Sequence, residues 1–137
     1  MKKAFVSVVL SLSLLLSLQS VAFAGGGTIK TDSKPTPYGT MNCEIGRSPG
    51  GDTEYEWFYA ETSINSSYTM AETVAKLDVR DNDTGVLLDS QSNKEINGNS
   101  VVCGADGARA PYRTYALFST HEVTYTSSYV LYMSATY

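Results

Sequence analysis

The chain has 137 residues and a formal net charge of −4, with 10 Lys and Arg against 14 Asp and Glu. An acidic chain without a basic stripe is not built to neutralise phosphates, so neither nucleic acid nor an anionic membrane surface is an expected partner. One His and two Cys, the latter 60 positions apart, do not make a zinc centre, and no metal or cofactor is expected.

The first predicted element is a leader. Met1-Lys2-Lys3 is a short basic head, Ala4 to Leu18 is an apolar run carrying Ser7, Ser11, Ser13 and Ser17, and Val21-Ala22-Phe23-Ala24 places small residues before a cut. Those are the three parts of a cleavable secretory signal peptide over residues 1–24. A membrane anchor would need roughly 20 predominantly apolar residues, more than this core offers. No later stretch is apolar enough to span a bilayer. The expected product is therefore secreted, free in the medium or attached to the cell surface, with no stable membrane insertion after cleavage. The Lys-Lys head has a bacterial style, so Asn65-Ser66-Ser67 and Asn82-Asp83-Thr84 are read as surface loops and not as glycosylated sites.

Residues 25–40, GGGTIKTDSKPTPYGT, are expected to form a flexible tail because Gly and Pro dominate their punctuation. From residue 41 to 137 the pattern has period two. Tyr55, Trp57 and Tyr59 alternate with Glu54, Glu56 and Phe58, while Thr73, Ala75, Leu77 and Val79 alternate with Val74, Lys76, Asp78 and Arg80. Asp81-Asn82-Asp83-Thr84-Gly85 predicts a hairpin turn into Val86-Leu87-Leu88, and Asn97-Gly98 a second tight turn. Two more strands follow: Tyr115, Leu117, Ser119, His121 and Val123 share one face, then Tyr129, Leu131, Met133, Ala135 and Tyr137 share another, with Thr126-Ser127-Ser128 between them. About seven short strands with regular turns predict an all-β fold, a small antiparallel β-sandwich.

Cys43 and Cys103 travel to an oxidising compartment, where one pair allows one connectivity, so a disulfide is expected between them. Chain entropy would make that bond worth about 4 kcal/mol. Cys43, Trp57 and Cys103 also fall in the order and rough spacing of an immunoglobulin-type domain, which the segment resembles at those three residues. The resemblance implies a strand Trp packed on an inter-sheet disulfide. Val101 stands where that family places its corner Tyr, and the segment between Trp57 and Cys103 is short for that topology. The likeness accordingly supports a stapled sandwich and not membership of the family.

Few residues carry chemistry. His121 follows Ser119 and Thr120, but no Gly-x-Ser-x-Gly elbow accompanies it, and its period-two setting reads as an ordinary strand position. Asp78, Asp81, Asp83 and Asp89 cluster around a hairpin where Asp favours turns, and the calcium-loop pattern fails there. Glu54, Glu56 and Glu61 could supply the paired carboxylates of a glycosidase, although charged strand edges also deter aggregation. Tyrosine is the least expected feature, 10 in all and six from Tyr112 onward. Rigid flat rings with polar tips suit contacts to sugars or proteins, and Tyr112, Tyr129, Tyr132 and Tyr137 are the candidate binding surface.

A non-enzymatic extracellular module binding an unknown protein or glycan is therefore the expected function, with self-association an accompanying property. Two alternatives are a fibre or matrix subunit assembling by strand addition, and a toxin-like effector or small hydrolase resting on His121 and the carboxylates.

Overall fold

A computed structural model describes residues 27–48, 56–107 and 114–137. The expected leader over 1–24 lies outside them. The described residues form eight strands: β1 (Gly27–Thr36), β2 (Gly39–Ser48), β3 (Trp57–Asn65), β4 (Glu72–Asp81), β5 (Leu87–Ile96), β6 (Ser100–Asp106), β7 (Tyr115–Thr124) and β8 (Ser128–Thr136). They pair antiparallel in two four-stranded sheets, in the orders β1-β2-β3-β6 and β5-β4-β7-β8. Among the described residues no helix is long and apolar enough to cross a membrane.

Period two explains the core. Met41, Cys43 and Ile45 of β2, Phe58, Ala60 and Ile64 of β3, Ala75, Leu77 and Val79 of β4, and Tyr115, Leu117 and Val123 of β7 all point between the sheets and are buried. Alternate side chains of a strand leave opposite faces, so each central strand contributes one full row to this layer. On β3 the buried row is the one holding Phe58; Trp57 faces out and is 41% exposed.

Residues 27–36, read from sequence as part of a tail, are β1. Their lack of an apolar row is real, for only Ile29, Lys34 and Thr36 are half-buried. Register against β2 from Gly27↔Arg47 to Thr36↔Gly39 holds the strand in place through backbone pairing. The Pro37-Tyr38 turn is tight because Gly39 adopts φ +140°, where a Cβ would come 2.1 Å from the carbonyl oxygen of Asn65.

The expected disulfide is absent, and the sheet order explains why. Cys43 and Cys103 are both buried free thiols on the same sheet, not on facing sheets. β3 runs between them, with Cys43 opposite Thr62 and Cys103 opposite Ala60. Two strand spacings separate the backbones by roughly 10 Å, whereas a disulfide needs Cα atoms within about 7 Å. Burial pushes the Cys43 thiol up to about 12 and the Cys103 thiol up to about 11, so both are held as unreactive SH groups. The stapled, immunoglobulin-like reading falls with them, since neither an inter-sheet bond nor a Trp packed on one exists. Hydrophobic packing and backbone pairing hold the two sheets instead.

Side chains also close the two seams where the sheets end. Lys30 and Lys34 of β1 each donate from Nζ at 2.8 Å to free carbonyls of β8, those of Ser134 and Val130. At the other seam Asn93 of β5 donates to the Val102 carbonyl at 2.9 Å, and the Asp106 amide of β6 donates to the Asp89 carboxylate at 2.9 Å. That amide, ahead of the other donors, holds Asp89 below the usual carboxylate range. Three carbonyls and one amide along the edges of β8 and β6 are thus occupied and closed to a foreign strand.

Candidate functional site

Strict up-and-down connection places the links β1–β2, β3–β4, β5–β6 and β7–β8 at one pole of the sandwich. They comprise Pro37-Tyr38, residues 66–71, Asn97-Gly98-Asn99 and Tyr125-Thr126-Ser127, and no charged residue occurs in any of them. At the opposite pole the described residues Glu56, ahead of β3, and Asp83, in the β4–β5 link, are charged. The asymmetry gives the first pole a Tyr, Ser, Thr and Asn surface, a composition resembling that of antibody binding loops.

Four tyrosines meet there. Tyr38 lies 5.0 Å from Tyr125, 6.0 Å from Tyr68 and 6.1 Å from Tyr129 between ring centroids, all edge to face. Tyr68 and Tyr125 are 5.4 Å apart and tilted by 45°. Edge-to-face rings at such distances attract one another beyond their burial, by about 0.5–1.5 kcal/mol per pair. Tyr38 is half-buried and its hydroxyl bonds the Thr126 hydroxyl, so it forms the floor. Tyr68, 49% exposed, and Tyr125, 39% exposed, form the outer layer. Among the described residues the Tyr68 and Tyr125 hydroxyls have no hydrogen-bond partner.

The links themselves are held firmly. Asn99 accepts the Met70 amide at 2.8 Å and donates to the Tyr68 carbonyl at 2.8 Å, tying the β5–β6 turn to the β3–β4 link. Ser66 Oγ accepts the Tyr68 amide at 3.0 Å, Thr73 Oγ1 donates to the Gly98 carbonyl at 2.7 Å, and Met70 is fully buried beneath. Asn97 supplies the positive φ, 56°, that the Asn-Gly turn requires. A surface fixed in this way loses little conformational entropy on binding.

Of the four tyrosines singled out from sequence, three are described, and of those Tyr129 joins this cluster. Tyr132 stands alone on the outer face of β8 at 74% exposure. Tyr137 lies at the far end of β8, its ring 5.5 Å from Phe58 and beneath the Arg47 guanidinium. Tyr112 falls outside the described residues. Tyr38, Tyr68 and Tyr125 were missed because they sit in turns, far apart in sequence. Numbering the strands would have found them, since alternate links of an up-and-down chain share a pole.

The other candidates assemble differently. His121 is fully buried between the sheets, with Nδ1 2.8 Å from Thr62 Oγ1 and Nε2 2.7 Å from Ser119 Oγ. Thr62 already spends its proton on the Val74 carbonyl at 2.7 Å, so it accepts from Nδ1–H, and Nε2 accepts from Ser119. The ring is neutral with both nitrogens engaged, and burial lowers its pKa from 6.5 to about 4.

Glu61 faces Glu44 directly across β2 and β3, beside a shallow open depression of about 490 Å³ that Thr31, Ser33, Asn42 and Ser63 also line. Tyr59 and Thr28 donate to Glu44 at 2.5 and 2.7 Å, while burial and then the Glu44 charge raise the Glu61 pKa. Glu56 is instead bound by Arg47, and Glu54 lies outside the described residues. Asp81 accepts the Asp83 and Thr84 amides of its own turn, Asp78 accepts the Ser90 hydroxyl, and among the described residues no three His, Cys, Asp or Glu groups gather as a metal site. Comparison with protein-family models, curated proteins and solved structures found no match to the chain.

Proposed function

We propose that this protein is a secreted, non-enzymatic binding module that takes an extracellular ligand on its tyrosine-lined pole. The observation that carries the proposal is the convergence of Tyr38, Tyr68 and Tyr125 from three separate links, and of Tyr129 from the start of β8, onto one surface whose links hold no charged residue, with two of the rings left open to solvent. Aromatic rings on a rigid frame are the usual energetic anchors of a binding surface. Assembly by strand addition on β8 or β6 is less well supported, because lysine and amide side chains occupy the Val130, Ser134 and Val102 carbonyls there. A hydrolase built on His121 is also less well supported, because that ring is sealed in the core with both nitrogens used.

The test is retention of the purified protein on the washed extracellular material and cells of its producing culture. The double variant Tyr68→Ala with Tyr125→Ala should wash off, while Tyr132→Ala, which removes the most exposed ring elsewhere, should be retained like the parent. Equal retention of the double variant and the parent would remove the pole from consideration.

A further inference from the structure

Resting on that assignment of the pole, we infer that its ligand is a neutral polysaccharide. Three observations converge on this class. No charged residue occurs in the four links at the pole, and the charge that reaches them, Glu95 against Gly98, is acidic, so it repels a phosphate, a uronate or a sulfate. A ligand recognised there must be held by stacking, hydrogen bonding and exclusion of water. Secondly, Tyr68 and Tyr125 present two partly exposed rings with centroids 5.4 Å apart, a separation comparable to the repeat of an extended pyranose chain. Each ring can lie against the apolar C–H face of one sugar, where the negative π face meets the polarised hydrogens. Thirdly, the hydroxyls of those same tyrosines have no partner among the described residues, and the flanking side chains, Ser67, Thr69 and Ser127, are hydroxyl-bearing and exposed. Hydroxyls both donate and accept, as sugar hydroxyls do.

A protein ligand fits these features less well. Tyr38 packs edge to face against Tyr68, Tyr125 and Tyr129, so the rings fill the space among themselves and leave less for an anchoring side chain of the kind that dominates protein interfaces. The sugar chain needs only a ridge of rings and a rim of hydroxyls. Binding should then be weak per site, fast, and insensitive to ionic strength, since no counterion is released.

Affinity electrophoresis of the full protein in gels containing a soluble neutral β-glucan, a galactomannan or hydroxyethylcellulose tests the inference, with alginate as the anionic control. The parent should be retarded by at least one neutral polymer, to the same degree at low and high salt, and not by alginate. Tyr68→Ala and Tyr125→Ala should each weaken retardation about tenfold. Tyr68→Phe and Tyr125→Phe should retain most of it, separating stacking from the hydroxyl contribution, and Tyr132→Ala should leave it unchanged. Thermal melting shows that each variant is folded. Absence of retardation in every neutral gel would overturn the ligand class while leaving the pole itself to be judged by retention on the culture material. Retardation that survives the Tyr68→Ala and Tyr125→Ala double variant would overturn the pole as the binding site. Salt-sensitive retardation by alginate would reverse the charge argument and overturn the neutral assignment.

Discussion

His121 and Tyr68 are both rings with polar atoms, each placed by a strand or link between the same two sheets, yet the fold uses them in opposite ways. His121 sits in the core, where Thr62 and Ser119 answer both nitrogens and the Val74 carbonyl takes the last hydroxyl proton. Nothing is left over to bind anything. Tyr68 sits at the pole, where its backbone is pinned by Ser66 and Asn99 while its ring and hydroxyl remain open. A residue type associated with catalysis has become a structural node, and a residue type associated with packing has become the surface. What decides between the two is the number of unsatisfied groups the tertiary environment leaves, and not the intrinsic reactivity of the side chain.

That contrast can be broken from the core side first. The folded His121 pKa lies below its unfolded value, so the unfolded chain binds the extra proton as pH falls. Its contribution to stability is present above pH 6.5 and is lost as pH drops toward 4. The loss should amount to about 3 kcal/mol, read as a fall in the urea midpoint across that window, and it should shrink in His121→Gln. A flat profile would mean that the ring is hydrated. Next in size, Thr62→Val leaves Nδ1–H without an acceptor in a dry interior and should cost about 1–3 kcal/mol by denaturant unfolding at neutral pH, with Thr62→Ser closer to the parent. If the two variants are equally stable, the hydrogen bond is not the source of the effect.

From the pole side the expected stability effects are small. Tyr68→Ala and Tyr125→Ala should each cost less than about 1.5 kcal/mol, since the rings lose edge contacts but little burial. A large drop in melting temperature would make these rings part of the core rather than a binding surface. The smallest effect is none at all. Reductant should leave the melting temperature unchanged, and a thiol reagent should modify Cys43 and Cys103 only after denaturation, because both thiols are buried and separated by β3. Destabilisation by reductant would show that the two cysteines do pair.

Much of the sandwich was legible. The rows Thr73–Val79 and Tyr115–Val123 alternate in sequence and are buried where alternation requires, and the Asp81–Gly85 and Asn97-Gly98 turns lie where their residues favour positive φ or local capping. β1 was not legible, because a strand held by backbone pairing to one neighbour needs no apolar row, and backbone groups leave no trace in composition. β5 is similar: Ser90 to Glu95 is polar on both faces and exposed, and the strand is tied to β6 by polar side chains, Asn93 and Asp89, rather than by an apolar row. The disulfide was misread for a different reason. Compartment and cysteine count say that a bond is chemically allowed, but only strand order says whether the two sulfurs can meet.

What the residues alone determined here is what depends on near neighbours along the chain: the period of two, the turn positions, the all-β class and the absence of charge from particular links. What only the tertiary structure decided is what depends on which strands lie side by side. That order put β3 between Cys43 and Cys103, carried His121 into the closed interior, and gathered Tyr38, Tyr68, Tyr125 and Tyr129, up to 91 positions apart in the chain, at one pole. The physical reason is that side-chain direction is a local property of the backbone, whereas adjacency of strands is settled by the packing of the whole core.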